Sequence, residues 1–421
     1  MKTIYDLSTE DILEYVQDHL KIKTKEKDEF GEVFTPPHLI NEILDRIPLK
    51  VWKDPNTRWL DPAAGIGNFP ALVYCRLLDT LKSAIPNKQK RKRHIIENML
   101  FMVEINPTNV QEIRKFFGPK IRVFQGDFLE NSRKWGDSFD VILGNPPFQT
   151  SKKKDYEGSV GNRTLWDKFI HVALEPGMLN DGGYLAFVTP AGWRRPEASL
   201  YDLMTKNNTL IYLHIYGKSD GLDMFGVQTR FDVFIIEKGD SQTIPLIIDE
   251  KGGRIKDVDP RKWPFLPNFA FDKIRKILVP LSEYGEEGKP GSKGIPVIFD
   301  SSVYDARKLS KNKTRRFRYP VVHNITRRGL GIRYAKDRNP EQMGVPKVLL
   351  NFNERQYPYN DYLGQYGMSQ LTFGVPIKSK KEGEKWIQRI ESPDFQEVLR
   401  ATKWGAFQTD YRMFRHFLTD P

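Results

Sequence analysis

The segment Asp140-Val141-Ile142-Leu143-Gly144-Asn145-Pro146-Pro147-Phe148 joins an apolar run to an asparagine, two consecutive prolines and an aromatic. The apolar run reads as a buried strand, so the polar chemistry falls at its C-terminal end. Two prolines in a row fix the backbone and withhold their N–H groups, leaving carbonyls that only accept hydrogen bonds. The Asn145 side-chain oxygen and the Pro146 carbonyl can then both accept from one –NH₂ group. The exocyclic amine of a nucleobase is a poor nucleophile because its lone pair is delocalised into the ring. Two acceptors gripping its hydrogens favour a pyramidal nitrogen whose lone pair points at an electrophile, which is catalysis by position and electrostatics without a covalent intermediate. Phe148 supplies a flat face for stacking a base that has left its helix.

Three further clusters fall at strand ends. In Leu60-Asp61-Pro62-Ala63-Ala64-Gly65-Ile66-Gly67-Asn68-Phe69 the glycines allow a tight turn and let a ligand lie against main-chain N–H groups, beside the positive end of a helix. The series lacks the third glycine of the dinucleotide pattern, which disfavours a nicotinamide enzyme. Glu104 ends the next strand, where a carboxylate can accept from two ribose hydroxyls; it lies 37 residues after Gly67, against the usual ~20, and a basic insertion at 86–94 accounts for the difference. Gly126-Asp127-Phe128 offers an acid and an aromatic that could bond and cover an adenine ring, although a plain strand-ending turn explains it equally well. Cys75 follows Tyr74 in an apolar helical stretch and not a Pro-Cys turn, so a thiol nucleophile for cytosine C5 chemistry is disfavoured. The seven histidines and one cysteine show no metal-ligand spacing, and no metal is expected.

These clusters need a scaffold, and the pattern around them supplies one. Between residues 58 and 238 short apolar runs alternate with helical periodicity, the rhythm of strands joined by crossover helices. Seven strands are expected, at 58–61, 100–104, 122–124, 140–143, 184–188, 210–215 and 231–237, with helices at 68–81, 107–117 and 164–174. Upstream, a helix at 8–20 starts at a Ser8/Asp11 cap pattern. Thr35 can cap a second helix that Pro36 and Pro37 open, with Leu39, Ile40, Ile43, Leu44 and Ile47 on its apolar face. Residues 86–94 read as an exposed loop and 151–163 as a mobile one. After about residue 240 the rhythm gives way to short strand-like pieces with many prolines, glycines and aromatics. We therefore place a boundary near 240–265 and expect an N-terminal helical extension at 1–30, a catalytic domain at 31–250 and a mixed α+β domain at 251–421.

Charge sorts with this division. Residues 241–421 hold 33 Lys+Arg against 21 Asp+Glu, so the whole net charge of +12 lies there. Residues 301–340 alone carry twelve basic and two acidic side chains, a density suited to a polyanion. Arg315, Arg316, Arg318, Arg327, Arg328 and Arg333, interleaved with Phe317, Tyr319 and Tyr334, can pair with phosphates, reach guanine edges or stack. No apolar run approaches the ~20 residues of a membrane span, and no secretory leader is evident, so a membrane is not expected as a partner. The lone cysteine fits a reducing cytoplasm.

The order Phe34-Thr35-Pro36-Pro37, Asp61 to Phe69, Glu104, Asp127-Phe128 and Asn145-Pro146-Pro147-Phe148 resembles the gamma class of amino-methyltransferases of bacterial restriction-modification systems, the TaqI-like adenine methyltransferases. The resemblance covers roughly residues 30–240. It implies an α/β, Rossmann-like, seven-stranded methyltransferase sheet, mostly parallel with its last strand antiparallel, and a C-terminal target-recognition domain. It implies S-adenosyl-L-methionine as cofactor and the N6 amine of adenine in double-stranded DNA as substrate. Carried over, Phe34, Thr35 and Pro36 lie at the methionine moiety; Asp61, Pro62, Ala63, Gly65 and Gly67 cradle the cofactor; Glu104 holds the ribose with Ile105 beside it; and Asp127 and Phe128 hold the adenine. Asn145, Pro146, Pro147 and Phe148 form the catalytic set, with Asn145 also at the cofactor. Residues 224–229 look like the element that covers the other face of the flipped base, which makes Phe225 the partner of Phe148, although an ordinary core phenylalanine reads as well. Cytosine N4, adenine in RNA or a glutamine amide would obey the same two-acceptor logic, and a catalytically silent DNA-binding subunit would share the fold. A cognate restriction endonuclease is expected on another chain. The protein would be cytoplasmic, held to the nucleoid through DNA, and its oligomeric state is not readable.

Overall fold

The apolar runs become strands because each is flanked by turn residues and by helices that cover it, and their order fixes where the polar ends meet. The computed structural model describes residues 3–19, 34–131, 138–149, 164–285, 290–300, 304–352, 355–405 and 410–419. The loop expected at 151–163 lies outside the described residues. The chain divides into two compact units, Met1–Trp193 with Ala198–Arg261, and Arg194–Glu197 with Lys262–Pro421. The division falls later than residue 250, and four residues of the second unit are embedded in the sequence of the first.

In the first unit, β1 (Trp59–Asp61), β2 (Leu100–Glu104), β3 (Arg122–Gln125), β4 (Phe139–Gly144), β5 (Leu179–Pro190), β6 (Thr209–Tyr216), β7 (Phe231–Glu237), β8 (Leu246–Ile248) and β9 (Arg254–Ile255) form one sheet. Its order is β3-β2-β1-β4-β5-β7-β6-β8-β9. The strands β3, β2, β1, β4 and β5 run parallel, and β7 inserts antiparallel between β5 and β6. Seven of the strands are those expected, but the sheet has nine. The additional pair arises because β8 joins β6 in parallel and β9 turns back on β8, so residues assigned to the interdomain boundary extend the sheet instead. Near-continuous burial along β1, β2, β4 and β7 is what a sheet covered on both faces requires.

The described N-terminal residues, 3–19, pack on the first unit. Ser8 and Asp11 cap the helix Thr9–His19 reciprocally, at 2.9 and 3.0 Å, as their spacing suggests. Ile4, Ile12 and Val16 are buried in the same core as the helices Pro37–Arg46 and Asn68–Thr80, and Tyr15 stacks on Phe116 at 4.1 Å. The basic stretch at 86–94 is not a loop. The Asn87 side chain accepts from Lys90 N at 2.9 Å and starts a helix, Lys88–His94, which continues into a π-helical turn, Ile95–Met99. Arg91, Lys92 and Arg93 sit in its last turn, where the helix dipole favours cations. Arg91 donates from Nη1 to the carbonyls of Ile85 and Pro86, and Lys92 to that of Tyr5, so two of these cations are buried against main-chain oxygens.

The second unit is mixed α+β. It contains β10 (Tyr319–Thr326), β11 (Gly329–Ala335), β12 (Lys347–Asn351), β13 (Tyr359–Asp361), β14 (Gly367–Met368) and β15 (Thr372–Pro376) in two three-stranded sheets, β11-β10-β14 and β13-β12-β15. Helices Phe271–Ile277, Lys380–Glu391 and Pro393–Ala401 complete it. Lys347 and Asp361 form a fully buried ion pair at 3.0 Å across β12 and β13, and Lys347 also donates to the carbonyls of Gln342 and Val345. Arg194, wholly buried, donates to the Leu266 and Pro267 carbonyls and to Asn268 Oδ1 at 2.9–3.1 Å.

Candidate active site

Asp61, Glu104 and Gly144 are the last residues of β1, β2 and β4, so one edge of the sheet presents all three turns that follow them. Ligands of such sheets bind outside the carboxyl ends of the strands. A cleft of about 730 Å³, counting space open to solvent, lies there. Phe34, Thr35, Asp61, Ala63, Gly65, Glu104, Ile105, Asn145, Pro146 and Pro147 line it, and Ala64, Ile66, Asn68 and Phe69 complete the wall.

The glycine turn is built to be open on the cleft side and closed behind. Gly67 has φ +92°, and a Cβ on it would lie 2.7 Å from Phe117 Cε2, so only glycine lets the helix Asn68–Thr80 begin this close to the helix Pro107–Phe117. Glu104 braces the turn: Oε2 accepts from Gly65 N and Oε1 from Asn106 N, each at 2.7 Å. Asn106 in turn caps the helix Pro107–Phe117 by accepting from Thr108 N. The sequence pointed to Glu104 as a ligand-holding carboxylate; its bracing of two loops was not readable, because Gly65 and Glu104 are distant in the chain.

Asp61 is 3% exposed and accepts from Ala63 N at 3.1 Å. Burial pushes its carboxyl up to about 8; the Ala63 hydrogen bond opposes this and the nearby Glu104 charge adds to it. A Cβ on Gly144 would sit 2.9 Å from Asp61 Oδ1, so the residue before Asn145 must be small for the carboxyl to fit. Burial therefore favours the protonated form of Asp61.

Asn145 is held from an unexpected direction. Its Nδ2 donates to Thr35 Oγ1 at 3.0 Å. Its Oδ1 is buried and has no hydrogen-bond partner, although the residue lines the cleft. A buried acceptor without a donor costs about 1–3 kcal/mol, so this oxygen is set for an incoming N–H. Thr35 does not cap the following helix: Pro36 occupies the N-cap position and no side chain caps it. The hydroxyl is spent on Asn145 instead. The helix Pro37–Arg46 behind Thr35 is pinned to β6 by Glu42, which accepts from Tyr212 Oη at 2.8 Å and Tyr216 Oη and meets His214 Nδ1 at 2.7 Å. Burial would raise the Glu42 carboxyl, but the bonds from His214, Tyr216 and Tyr212 outweigh it and hold the group below its ordinary value.

Several expected residues are elsewhere. Pro36, Pro62 and Gly67 shape the cleft without lining it. Asp127 accepts from Leu129 N at 2.9 Å and starts the short helix Phe128–Asn131, the turn role, and does not line the cleft. Phe128 is 2% exposed and stacks on Phe169 at 5.4 Å, so it is a core residue with no face offered to a ligand. Phe225 is 4% exposed at the end of the helix Lys218–Phe225 and packs edge-on against Phe231 at 4.8 Å; as placed it is core, not a stacking partner. Phe148 is half-buried just outside the lining, its carbonyl accepting from Leu165 N. Of the arginines, Arg315, Arg316, Arg318, Arg327 and Arg328 are exposed, whereas Arg333 is half-buried and donates to the Ala306 carbonyl. Among the described residues no cluster of His, Cys, Asp or Glu is placed to hold a metal, and no helix is long and apolar enough to cross a membrane. Cys75 is half-buried and burial pushes its thiol up to about 12, the reverse of what a nucleophile needs.

The strand order 3-2-1-4-5-7-6, the antiparallel seventh strand and a cleft at the ends of β1, β2 and β4 define a Rossmann-like α/β fold with a mostly parallel sheet. Residues 71–221 match the family described as Eco57I restriction-modification methylase. A Mycoplasma pneumoniae (strain ATCC 29342 / M129 / Subtype 1) protein described as an uncharacterized adenine-specific methylase is 23% identical over 267 residues, 44% of this chain and 62% of its own length. The type II methyltransferase M.CvrRI of Paramecium bursaria Chlorella virus XZ-6E is 26% identical over 230 residues, 53% of this chain and 52% of its own length. The chain thus spans less than two thirds of either relative. Among solved structures, the type IIL restriction-modification enzyme MmeI in complex with DNA shares the fold at a TM-score of 0.56 and 13% identity, over 98% of this chain and 70% of that one. These matches support the likeness to restriction-modification adenine methyltransferases read from the motifs.

Proposed function

We propose that the chain methylates the exocyclic N6 amine of adenine in duplex DNA, with the base turned out of its helix. The observation that carries this reading is the buried, unpartnered Asn145 Oδ1, held in place by Thr35 at the wall of the cleft. An oxygen fixed this way accepts one hydrogen of an amine, and the Pro146 carbonyl beside it, which no proline N–H competes with, accepts the other. The amine's lone pair is then directed out of the base plane at no further cost in reorganisation.

The cleft residues fit S-adenosylmethionine. Its ammonium and sulfonium are cations that would draw out the charged form of the buried Asp61, the glycine turn lets a ligand lie close against the backbone, Ile105 is 46% exposed and offers an apolar surface to a ring, and Glu104 lines the wall where the ribose would lie. When bound, the cofactor supplies the methyl group as a sulfonium substituent. The motif order favours the gamma class. The test is incubation with labelled S-adenosylmethionine and duplex DNA, followed by nucleoside digestion and mass analysis. Label in N6-methyladenine is expected; label confined to N4-methylcytosine, RNA or protein refutes the substrate, and cofactor binding with no transfer to any of these refutes the enzyme.

A further inference from the structure

We infer that the β10–β11 hairpin is the element that reads base edges in the major groove, and that the segment before it grips phosphates without reading sequence. The inference rests on the proposal that the chain acts on duplex DNA and adds which residues choose the site.

Residues 309–336 contain nine Lys or Arg and no Asp or Glu, so this stretch has no internal carboxylate to neutralise it. The cations fall into two groups by their setting. Lys311, Lys313, Arg315, Arg316 and Arg318 are exposed on an irregular segment ahead of β10. Such a segment adapts to a backbone but does not fix the angle of a guanidinium fork.

Arg327 and Arg328 are different, because they occupy the two central positions of a tight turn. Thr326 pairs with Gly329 across it, the Thr326 hydroxyl accepts from Arg328 N at 3.2 Å, and Gly329 at φ +117° closes it. Both arginines are exposed, and neither guanidinium has a hydrogen-bond or ion-pair partner among the described residues. The root is anchored: Ile325 is buried among Val322, Leu349 and Met368, and Asn351 Nδ2 donates to its carbonyl at 2.8 Å. The third strand of that sheet, β14, pairs only with Val321 and Val322, so past the buried Ile325 the hairpin ends in an exposed two-stranded turn. A ribbon whose strands lie ~4.8 Å apart fits the major groove, ~12 Å wide.

A third side chain is aimed by the backbone. The register shifts between Val322 and Asn324, a bulge that turns the distal ribbon. Asn324 then lies flat across Gly331, where any Cβ would sit 1.6 Å from its Oδ1. Its exposed amide has no partner among the described residues. Two exposed arginine forks at the tip and one exposed amide at its base are the donor and acceptor sets that recognise guanine O6/N7 and adenine N6/N7.

The test uses the full chain and selects bound duplexes from a random-sequence library, so it does not depend on methyl transfer. The wild-type protein should enrich one motif. Arg327→Lys with Arg328→Lys keeps the charge and removes the forks. It should lose preference at one or two positions and bind the wild-type motif roughly 10- to 100-fold more weakly, with the salt dependence unchanged. Asn324→Ala should relax one position. Arg315→Ala with Arg316→Ala should weaken all duplexes alike and lower the salt slope by about two, leaving the motif intact. A tip variant that enriches the wild-type motif with wild-type affinity, or a wild-type protein that enriches none, overturns the inference. A shifted motif in a chain that transfers no methyl group supports the hairpin's role while removing the proposed activity.

Discussion

Replacing Thr35 with valine swaps the hydroxyl that accepts from Asn145 for a methyl group of nearly the same size. The lost hydrogen bond is worth about 1 kcal/mol net, and the Asn145 donor left buried without a partner costs about 1–3 kcal/mol. The amide responds by rotating to satisfy its nitrogen, and Oδ1 leaves the position at which it meets an incoming amine. Because each 1.36 kcal/mol of lost transition-state stabilisation is tenfold in rate, methyl transfer should slow by about 5- to 100-fold. Cofactor affinity should change by less than about threefold, since what is disturbed is the placement of Asn145 toward the target amine. Thr35→Ser, which keeps the oxygen, should stay close to wild type. Single-turnover transfer at saturating cofactor and DNA gives the rate, and titration calorimetry gives the cofactor Kd. A Thr35→Val protein with an unchanged rate but weakened cofactor binding would refute the reasoning, because Thr35 would then serve the methionine moiety directly, as the motif resemblance implies.

Asn145→Ala should abolish transfer with cofactor affinity retained, checked by the same two measurements. The raised Asp61 carboxyl predicts that binding a cationic cofactor near pH 7 expels close to one proton, seen as a binding enthalpy that varies with the buffer's ionisation heat; the effect should fade above pH 9 and be absent in Asp61→Asn. In the free protein the same group is more protonated folded than unfolded between about 4 and 8, so its contribution to stability is lost as pH rises through that window. His416, 2% exposed and beside Tyr284, is lowered to about 4 by burial, with Asp410 opposing and Arg415 and Arg412 adding. Its unfolded form protonates first, so stability should fall by about 3 kcal/mol as pH drops from about 6.5 to 4, and His416→Leu should flatten that part of a thermal melting profile.

The sheet was legible where apolar runs were bounded by turn residues: β2 and β7 fall at the expected positions, as does the helix Pro107–Phe117. Strands β8 and β9, of three and two residues, are too short for any periodicity to show. Residues 86–94 form a helix where a loop is expected, because Lys, Arg and Gln are good helix formers behind an Asn cap whatever their charge. The cleft followed from motifs at strand ends, since the fold brings those ends together whatever the intervening lengths. Partnerships within it did not follow: Thr35 and Asn145 are 110 residues apart, and a local reading gives a Thr before two prolines its cap role. Phe128 and Phe225 show the same limit from the other side, because an aromatic type is compatible with stacking on a ligand or on Phe169 and Phe231, and only packing decides.

The four residues Arg194–Glu197 mean that the chain passes between its two units three times, not once. The second unit excised as 262–421 and grafted elsewhere would arrive without the guanidinium that satisfies the Leu266 and Pro267 carbonyls and Asn268, and without the Glu197 carboxylate that lies 3.7 Å from Arg412. Transfer of this unit between chains of the same architecture therefore requires a discontinuous transplant, with the tetrapeptide carried along as part of the cargo.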